Sequence, residues 1–301
     1  MIITVASGKG GTGKTTIAVS LALSLAENGL NMEVDRPILL DCDVEEPNAA
    51  LYLKPEIEVR KNVALLIPEV DREVCTYCGI CADVCRYHAI TVVGEKVLVY
   101  PDLCHGCGNC MLNCPEACIE EVVEVLGVVE RGRSRDVSFG QGILQVGKAM
   151  SPPIISELKR WALPKEVDGQ LVVLDAPPGA SCPVVETMRE SDFALLVTEP
   201  TPFGLHDLRL AVQLSRDELH LPVGVVINRD GIGDQGVEDF CTSEELPILM
   251  RIPYQKQIAE AGAEGIPLVQ AIPEYRSEFQ GLYTSIKDLL QKGAEGKEGE
   301  E

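Results

Sequence analysis

Aromatic side chains are scarce in this sequence. Phe, Trp and Tyr together make up 4% of its 301 residues, while hydrophobic residues make up 46%. A core of that composition has to be aliphatic, built from Val, Leu, Ile and Ala. No apolar run reaches the ~18 residues that a bilayer-spanning helix needs. Basic charge is short as well: 26 Lys and Arg face 47 Asp and Glu, for a net charge of −21. Such a surface repels phosphate backbones and anionic headgroups, which argues against nucleic acid and membrane as partners. No cluster of Lys or Arg offsets it, since "ERGRSRD" at 130–136 is interrupted by acids. The opening "MIITVASGKGG" has no charged leader and reads as a strand entering a loop, so a cytoplasmic protein is expected.

Cysteine is what the chain has in excess. It carries twelve, nine of them between residues 75 and 120. In a cytosolic chain such cysteines are expected to be metal ligands rather than disulfides.

Away from that segment the pattern is one of short aliphatic runs alternating with helical spacing. Residues 1–6 read as a buried strand and 14–28 as a helix, with Gly29 as its stop. "PILLDCD" (37–43), "QLVVLDAPPG" (170–179), "DFALLVTEPT" (192–201) and "LPVGVVINRD" (221–230) are further strands that end in polar residues. Alternation of this kind predicts an α/β fold with a mostly parallel sheet flanked by helices. Ligands of such sheets sit beyond the carboxyl ends of the strands, where Asp41, Asp43, Asp175, Thr198, Glu199 and Asn228 fall.

The rhythm breaks between about 68 and 124. Two cysteine runs there share their spacing, with the strand-like pieces "AITVV" and "KVLVYP" between them. The expected organisation is an interrupted domain over 1–67 and 125–291, a small α+β insert over 68–124, and a disordered acidic tail over 292–301.

Gly8-Lys9-Gly10-Gly11-Thr12-Gly13-Lys14-Thr15 fits G-x-x-x-x-G-K-[ST] between a strand and a helix. The glycines let backbone N–H groups curl around phosphate oxygens. Lys14 supplies charge for the β- and γ-phosphates of ATP, and the Thr15 hydroxyl can ligate Mg²⁺. Lysines on both sides of the glycines, in "KGGTGKTT", resemble the deviant Walker A loop of the MinD/ParA/Mrp ATPases, which include the nitrogenase iron protein. That resemblance implies an ATP-dependent homodimer in which Lys9 acts in trans, and Thr16 beside the α-phosphate. "LLDCDVEEPN" (39–48) looks like the family's switch I, with Asp43 orienting the attacking water and Asp41 near the metal. "VVLDAPPG" (172–179) looks like Walker B with switch II, where Asp175 holds Mg²⁺ through water and Gly179 senses the γ-phosphate. Asn228 resembles the asparagine that reads the adenine edge, and 252–268 the segment lining the base, with Pro253 at its loop. Phosphoryl transfer asks mainly for positioning and charge neutralisation, which this set supplies.

Cys75-x2-Cys78-x2-Cys81-x3-Cys85 and Cys104-x2-Cys107-x2-Cys110-x3-Cys114-Pro115 resemble the bacterial ferredoxin pattern twice over. In that pattern the fourth cysteine of each run ligates the other cluster. One 4Fe–4S cluster then takes Cys75, Cys78, Cys81 and Cys114, and the second takes Cys104, Cys107, Cys110 and Cys85. Zinc also binds paired C-x2-C motifs, but the doubled triplet-plus-one spacing argues against it. Arg86 stands where a proline commonly follows the fourth cysteine. Cys118 falls where the duplicated pattern has Ala89 and is expected, with Cys42 and Cys241, to pack as a small hydrophobe. Cys182, seven residues beyond Asp175, is a weaker candidate for a ligand or redox role. His88 and His105 are expected at the surface, because eight thiolates already complete two clusters.

Three functions fit these motifs. In the first, ATP-driven dimer closure gates electron transfer through the clusters to a redox partner. In the second, an Mrp-like carrier passes a cluster to a client protein. In the third, a MinD- or ParA-like positioning ATPase uses the clusters as structure or sensor, although the acidic chain end and net charge disfavour membrane or DNA as its track.

Overall fold

The computed structural model describes residues 1–26, 36–134, 137–163 and 170–298, with side chains through 293. Gly29, expected to stop the first helix, lies outside the described residues. In chain order the strands are β1 (Ile2–Ala6), β2 (Ile38–Asp41), β3 (Glu56–Val70), β4 (Ile90–Val92), β5 (Val97–Val99), β6 (Ile119–Ser134), β7 (Val137–Leu144), β8 (Val172–Asp175), β9 (Phe193–Thr198), β10 (Val223–Asp230) and β11 (Ile248–Pro253). The helices are α1 (Lys14–Ala26), α2 (Ala49–Leu53), α3 (Ile80–Asp83), α4 (Asn109–Leu112), α5 (Pro152–Ala162), α6 (Cys182–Met188), α7 (Pro202–Val212), α8 (Gly236–Ser243), α9 (Lys256–Ala263), α10 (Leu268–Ala271) and α11 (Tyr275–Glu298).

Among the described residues, nine strands form one sheet in the order β11-β10-β9-β1-β8-β2-β7-β6-β3. From β11 to β7 neighbouring strands run parallel, while β6 and β3 are antiparallel additions at one edge. The central strands are buried on both faces, which is why they read as continuous aliphatic runs rather than alternating ones. On one face Ile3, Val5, Leu39, Val173 and Leu195 meet α1, α10 and α11 through Ile17, Leu21, Leu268 and Phe279. On the other, Ala194, Leu196, Val225 and Ile227 meet α6, α7 and α8. Leu40, Val172 and Leu174 meet α5 through Ile154, Ile155 and Leu158.

The antiparallel edge is the main departure from the expected organisation. β3 and β6 pair from Glu56 with Arg133 to Val70 with Ile119, whereas β7 stops pairing with β6 at Gly127. Beyond that point the two strands continue as a ribbon about 20 Å long, at ~3.4 Å per residue. They run unbroken through 67–68 and 124–125, so the expected borders of the insert fall inside β3 and β6. Only 71–118 is set apart, carried at the ribbon tip with the hairpin β4–β5 and the short helices α3 and α4. The ribbon was not legible as strand because much of β3 is solvated on both faces and shows no clean alternation of apolar and polar residues. Pro68 is tolerated because β3 is the edge strand.

The end of the chain also differs from expectation. Helix α11 continues to Glu298, so the segment expected to be disordered from 292 is helical as far as it is described. Ala, Glu and Lys are good helix formers, and the preceding turns are fixed by Phe279, Leu282 and Ile286 in the core.

Candidate nucleotide cleft and cysteine cavities

The loop after β1 and the start of α1 form one wall of a cleft of about 680 Å³. Gly10, Gly11, Gly13, Lys14, Thr15 and Thr16 line it. Gly11 and Gly13 both have positive φ, and a Cβ on Gly13 would overlap the Asn228 amide. Gly8 is required for a different reason: a Cβ there would overlap the backbone carbonyl of Asp207 on α7. At Gly8 and Gly13 the loop therefore packs too closely on its neighbours to carry side chains, while at Gly11 the backbone conformation alone favours glycine. Lys14 is buried at the root of α1, where positive charge and N-terminal N–H groups coincide.

Asn228, at the end of β10, donates from Nδ2 to the carbonyl of Thr12 at 2.7 Å and accepts from Arg229 N at 2.9 Å. It lines the cleft and also braces the phosphate loop, a role its sequence position did not reveal. Pro253, Tyr254, Gln255, Ile258, Gly262, Gly265 and Leu268 line the opposite wall. Tyr52 of α2 also lines the cleft, which the sequence did not signal. Its hydroxyl lies 3.4 Å from both Thr16 Oγ1 and the Gly262 carbonyl, tying the two walls together.

The acidic residues divide into distinct situations. Asp175 is fully buried and neither carboxylate oxygen has a hydrogen-bond partner. Burial pushes its pKa up to about 7, opposed by the neighbouring Thr15 hydroxyl and the Lys14 charge. A partnerless buried carboxylate beside a hydroxyl and an ammonium fits a divalent cation. Asp43 lines the cleft half-buried, and its pKa too is raised by burial, with Lys14 pulling the other way. Asp41, expected near the metal, is the register partner of Asp175 on the adjacent strand, and it also binds backbone. Its Oδ1 accepts from Asp43 N at 3.1 Å, and its Oδ2 accepts from Asn48 N and Ala49 N at 2.9 Å. That shapes the switch I loop and caps α2, while burial raises the Asp41 pKa well above the ordinary carboxylate range. Gly179, at positive φ, donates its N–H to the Ser7 carbonyl at 3.0 Å, joining the segment after β8 to the phosphate loop.

Lys9 does not project freely. Its Nζ lies 3.0 Å from Glu199 Oε2, and the other Glu199 oxygen receives Arg229 at 2.5 Å. Glu199 is nearly buried at the end of β9, so one carboxylate holds two cations on the nucleotide side.

At the ribbon tip the cysteines separate into two cavities. Cys75, Cys78, Cys81, Cys114 and Cys118 line one; Cys85, Cys104, Cys107 and Cys110 line the other. The fourth cysteine of each run therefore crosses to the other run's cavity. Backbone N–H groups of Tyr77, Ala89 and Gly106 donate to the sulfurs of Cys75, Cys85 and Cys104 at 3.3–3.5 Å. Tyr87 and His105 stack with ring centroids 3.5 Å apart and border the second cavity. Among the described residues, no three His, Cys, Asp or Glu side chains gather around the position of a single metal ion. Cys42 and Cys241 pack in the aliphatic core, and Cys182 is exposed at the start of α6.

Helix α5 connects the two regions. Its face carrying Ile154 and Leu158 packs with Val63 of β3 and Leu126 and Val129 of β6, and Glu157 pairs with Lys61 of β3 at 2.5 Å. At its start the Ser151 hydroxyl donates to Glu45 of switch I at 3.1 Å. Near its end the buried Lys159 donates to the carbonyls of Glu186, Thr187 and Arg189, closing the C-terminus of α6, the helix after switch II.

A phosphate loop at the carboxyl end of a parallel sheet, with a buried carboxylate on the adjacent strand, defines a P-loop ATPase. The model of the CobQ/CobB/MinD/ParA nucleotide binding domain matches residues 3–268, and the chain belongs to that family. An uncharacterised protein of Methanocaldococcus jannaschii is 31% identical over 88% of this chain and 90% of its own length. A Pyrococcus horikoshii protein named iron-sulfur cluster carrier protein is 26% identical over 98% of this chain and 89% of its own. Among solved structures, the septum site-determining protein MinD of Pyrococcus horikoshii, complexed with Mg-ADP, matches with a TM-score of 0.57 at 22% identity, over 96% of both chains. The cell division ATPase MinD of Pyrococcus furiosus matches with a TM-score of 0.56 at 24% identity, over 96% of this chain and 98% of that one. Among the described residues no helix is long and apolar enough to cross a membrane.

Proposed function

We propose that this ATPase is an iron–sulfur protein in which closure of an ATP-bound homodimer gates electron transfer through two 4Fe–4S clusters. The observation that carries the reading is the pair of separate four-cysteine sets, Cys75, Cys78, Cys81, Cys114 and Cys85, Cys104, Cys107, Cys110, each completed from the other run. That exchange of the fourth cysteine is the ligation of two-cluster ferredoxins. A cubane spreads its thiolates over several irons, so it needs no point close to three sulfurs, whereas a zinc ion does. In this reading the insert, expected over 68–124, is the segment 71–118 carried on β3 and β6 of the ATPase.

In the cleft, Lys14 neutralises the β- and γ-phosphates, Thr15 and Asp175 hold Mg²⁺, and Asp43 orients the attacking water. Thr16 meets the α-phosphate, while Asn228 and Pro253 flank the adenine. Lys9 leaves Glu199 to reach the partner's nucleotide. Gating is supported by α5, which touches switch I, the helix after switch II and the cysteine-bearing ribbon at once. The ribbon also projects from the nucleotide end of the sheet, four strand spacings from β1, roughly 19 Å. The test is anaerobic EPR and potentiometry of the reduced protein with and without MgATP. Two interacting 4Fe–4S signals are expected, with potentials or electron-transfer rates that shift on adding MgATP. Bound zinc and no signal would overturn the cluster assignment, and unchanged potentials and rates would overturn the gating.

One observation favours a second reading. Several relatives, at 24–26% identity, are named iron-sulfur cluster carrier proteins. If the cluster is cargo, labelled iron should pass to an apo-acceptor faster with ATP. A complete set of four cysteines for each cluster opposes release, and no transfer is expected.

A further inference from the structure

We infer that Cys118 tunes one of the two clusters, donating its S–H to the ligand sulfur of Cys114 and making that cluster the easier one to reduce; this rests on the two-cluster reading above. Cys118 is 5% exposed, lines the first cavity, and its Sγ lies 3.4 Å from that of Cys114. The internal duplication supplies a built-in control. Cys118 follows Cys114 by four residues, as Ala89 follows Cys85. In the second cavity the Ala89 N–H donates to Cys85 Sγ at 3.3 Å and its methyl group adds nothing. One pair of backbone donors is matched between the cavities. Tyr77 N reaches Cys75 Sγ at 3.4 Å, and Gly106 N reaches Cys104 Sγ at 3.5 Å, at equivalent positions of the repeat. The thiol at 118 is thus a donor in one cavity without a counterpart in the other.

The direction of the effect follows from charge. A ligating Cys114 is a thiolate with no proton, so in the pair Cys118 donates and Cys114 accepts. Reduction adds one electron to the cluster, taken from a low-potential one-electron reductant, and that negative charge is shared with the ligand sulfurs. A donor aimed at such a sulfur stabilises the reduced state more than the oxidised one. No bond to Cys118 forms or breaks, and its proton stays in place. The consequence is an ordered pair of sites, in which an electron arriving through the second cavity's cluster comes to rest on the first.

The test is an EPR-monitored redox titration of the anaerobically reconstituted full chain, comparing wild type with Cys118→Ala and Cys118→Ser. Cys118→Ala is expected to make one cluster about tenfold harder to reduce, a shift of about 59 mV for one electron, and to leave the other in place. Cys118→Ser keeps a donor and is expected to stay close to wild type. Two intact signals with no shift in Cys118→Ala would overturn this inference alone. A Cys118→Ser shift as large as that of Cys118→Ala would overturn it in favour of plain packing. Absence of 4Fe–4S signals from the wild type would overturn the two-cluster reading itself, and this inference with it.

Discussion

Replacing Lys159 with Met tests the link between the nucleotide switches and the ribbon. The ammonium lies 3.0, 3.2 and 2.5 Å from the carbonyls of Glu186, Thr187 and Arg189. Methionine keeps an unbranched apolar stem, so the packing of α5 is largely preserved and the three hydrogen bonds are lost. A hydrogen bond to a charged group contributes about 1.5–3 kcal/mol. Burial opposes that gain, since desolvation pushes the Lys159 pKa below its ordinary value. Taking the low end for three bonds and subtracting a desolvation cost leaves a net loss of about 3 kcal/mol. That is a large part of the ~5–15 kcal/mol that holds a domain folded. In urea the midpoint should fall in proportion, and melting should drop by roughly 5–10 °C. Hydrogen exchange over 119–125 supplies the second readout. MgATP should change protection there in the wild type and do so much less in Lys159→Met, with Lys159→Arg restoring part of both effects. An unchanged urea midpoint would refute the energetic argument. An undiminished exchange response to MgATP would refute the role of α5 as the connection.

Three further outcomes are expected. Gly13→Ala places a Cβ against Asn228 at φ +93, a backbone strain of about 1–3 kcal/mol; calorimetry should show loss of ATP binding with iron content unchanged. Glu199→Gln weakens the partly exposed hold on Lys9, a pair worth about 0.2–1 kcal/mol. Its ATP-dependent dimer should then form at up to fivefold lower protein concentration by sedimentation, and an unchanged dimerisation midpoint would contradict the restraint. Asp175→Asn should abolish hydrolysis yet stabilise the nucleotide-free protein near neutral pH. Because the folded-state pKa of Asp175 is raised from 3.8 to about 7, the folded chain holds its proton longer than the unfolded one. Stability of the wild type should therefore fall as pH rises from about 4 to about 7, and thermal melts of Asp175→Asn should lack that component.

The parallel half of the sheet was readable because buried strands and the helix after a phosphate loop leave local patterns. The runs at 1–6, 37–43, 170–179, 192–201 and 221–230 contain β1, β2, β8, β9 and β10. The edge ribbon was not readable, because beyond Gly127 its two strands pair only with each other and have little core to impose alternation on them. Tyr52 offered no signal either, since a lone tyrosine in a five-residue helix acquires meaning only when α9 comes to face it.

By itself, then, the sequence determined the phosphate loop, the alternation of parallel strands with helices and the division of the cysteines into two runs. Each of these is written in contiguous residues whose spacing has one chemical use. Tertiary structure alone decided that Lys9 rests on Glu199, that Asp41 braces a loop, and that Cys118, packed in a small core with Ile90, Val97 and Ile119, also meets the sulfur of Cys114. It also decided that α5 touches Glu45, the end of α6 and the strands β3 and β6 at once. Those outcomes depend on side chains from distant segments meeting in space, and the physics that selects them is the burial of charge and thiol beside partners that spacing along the chain does not encode.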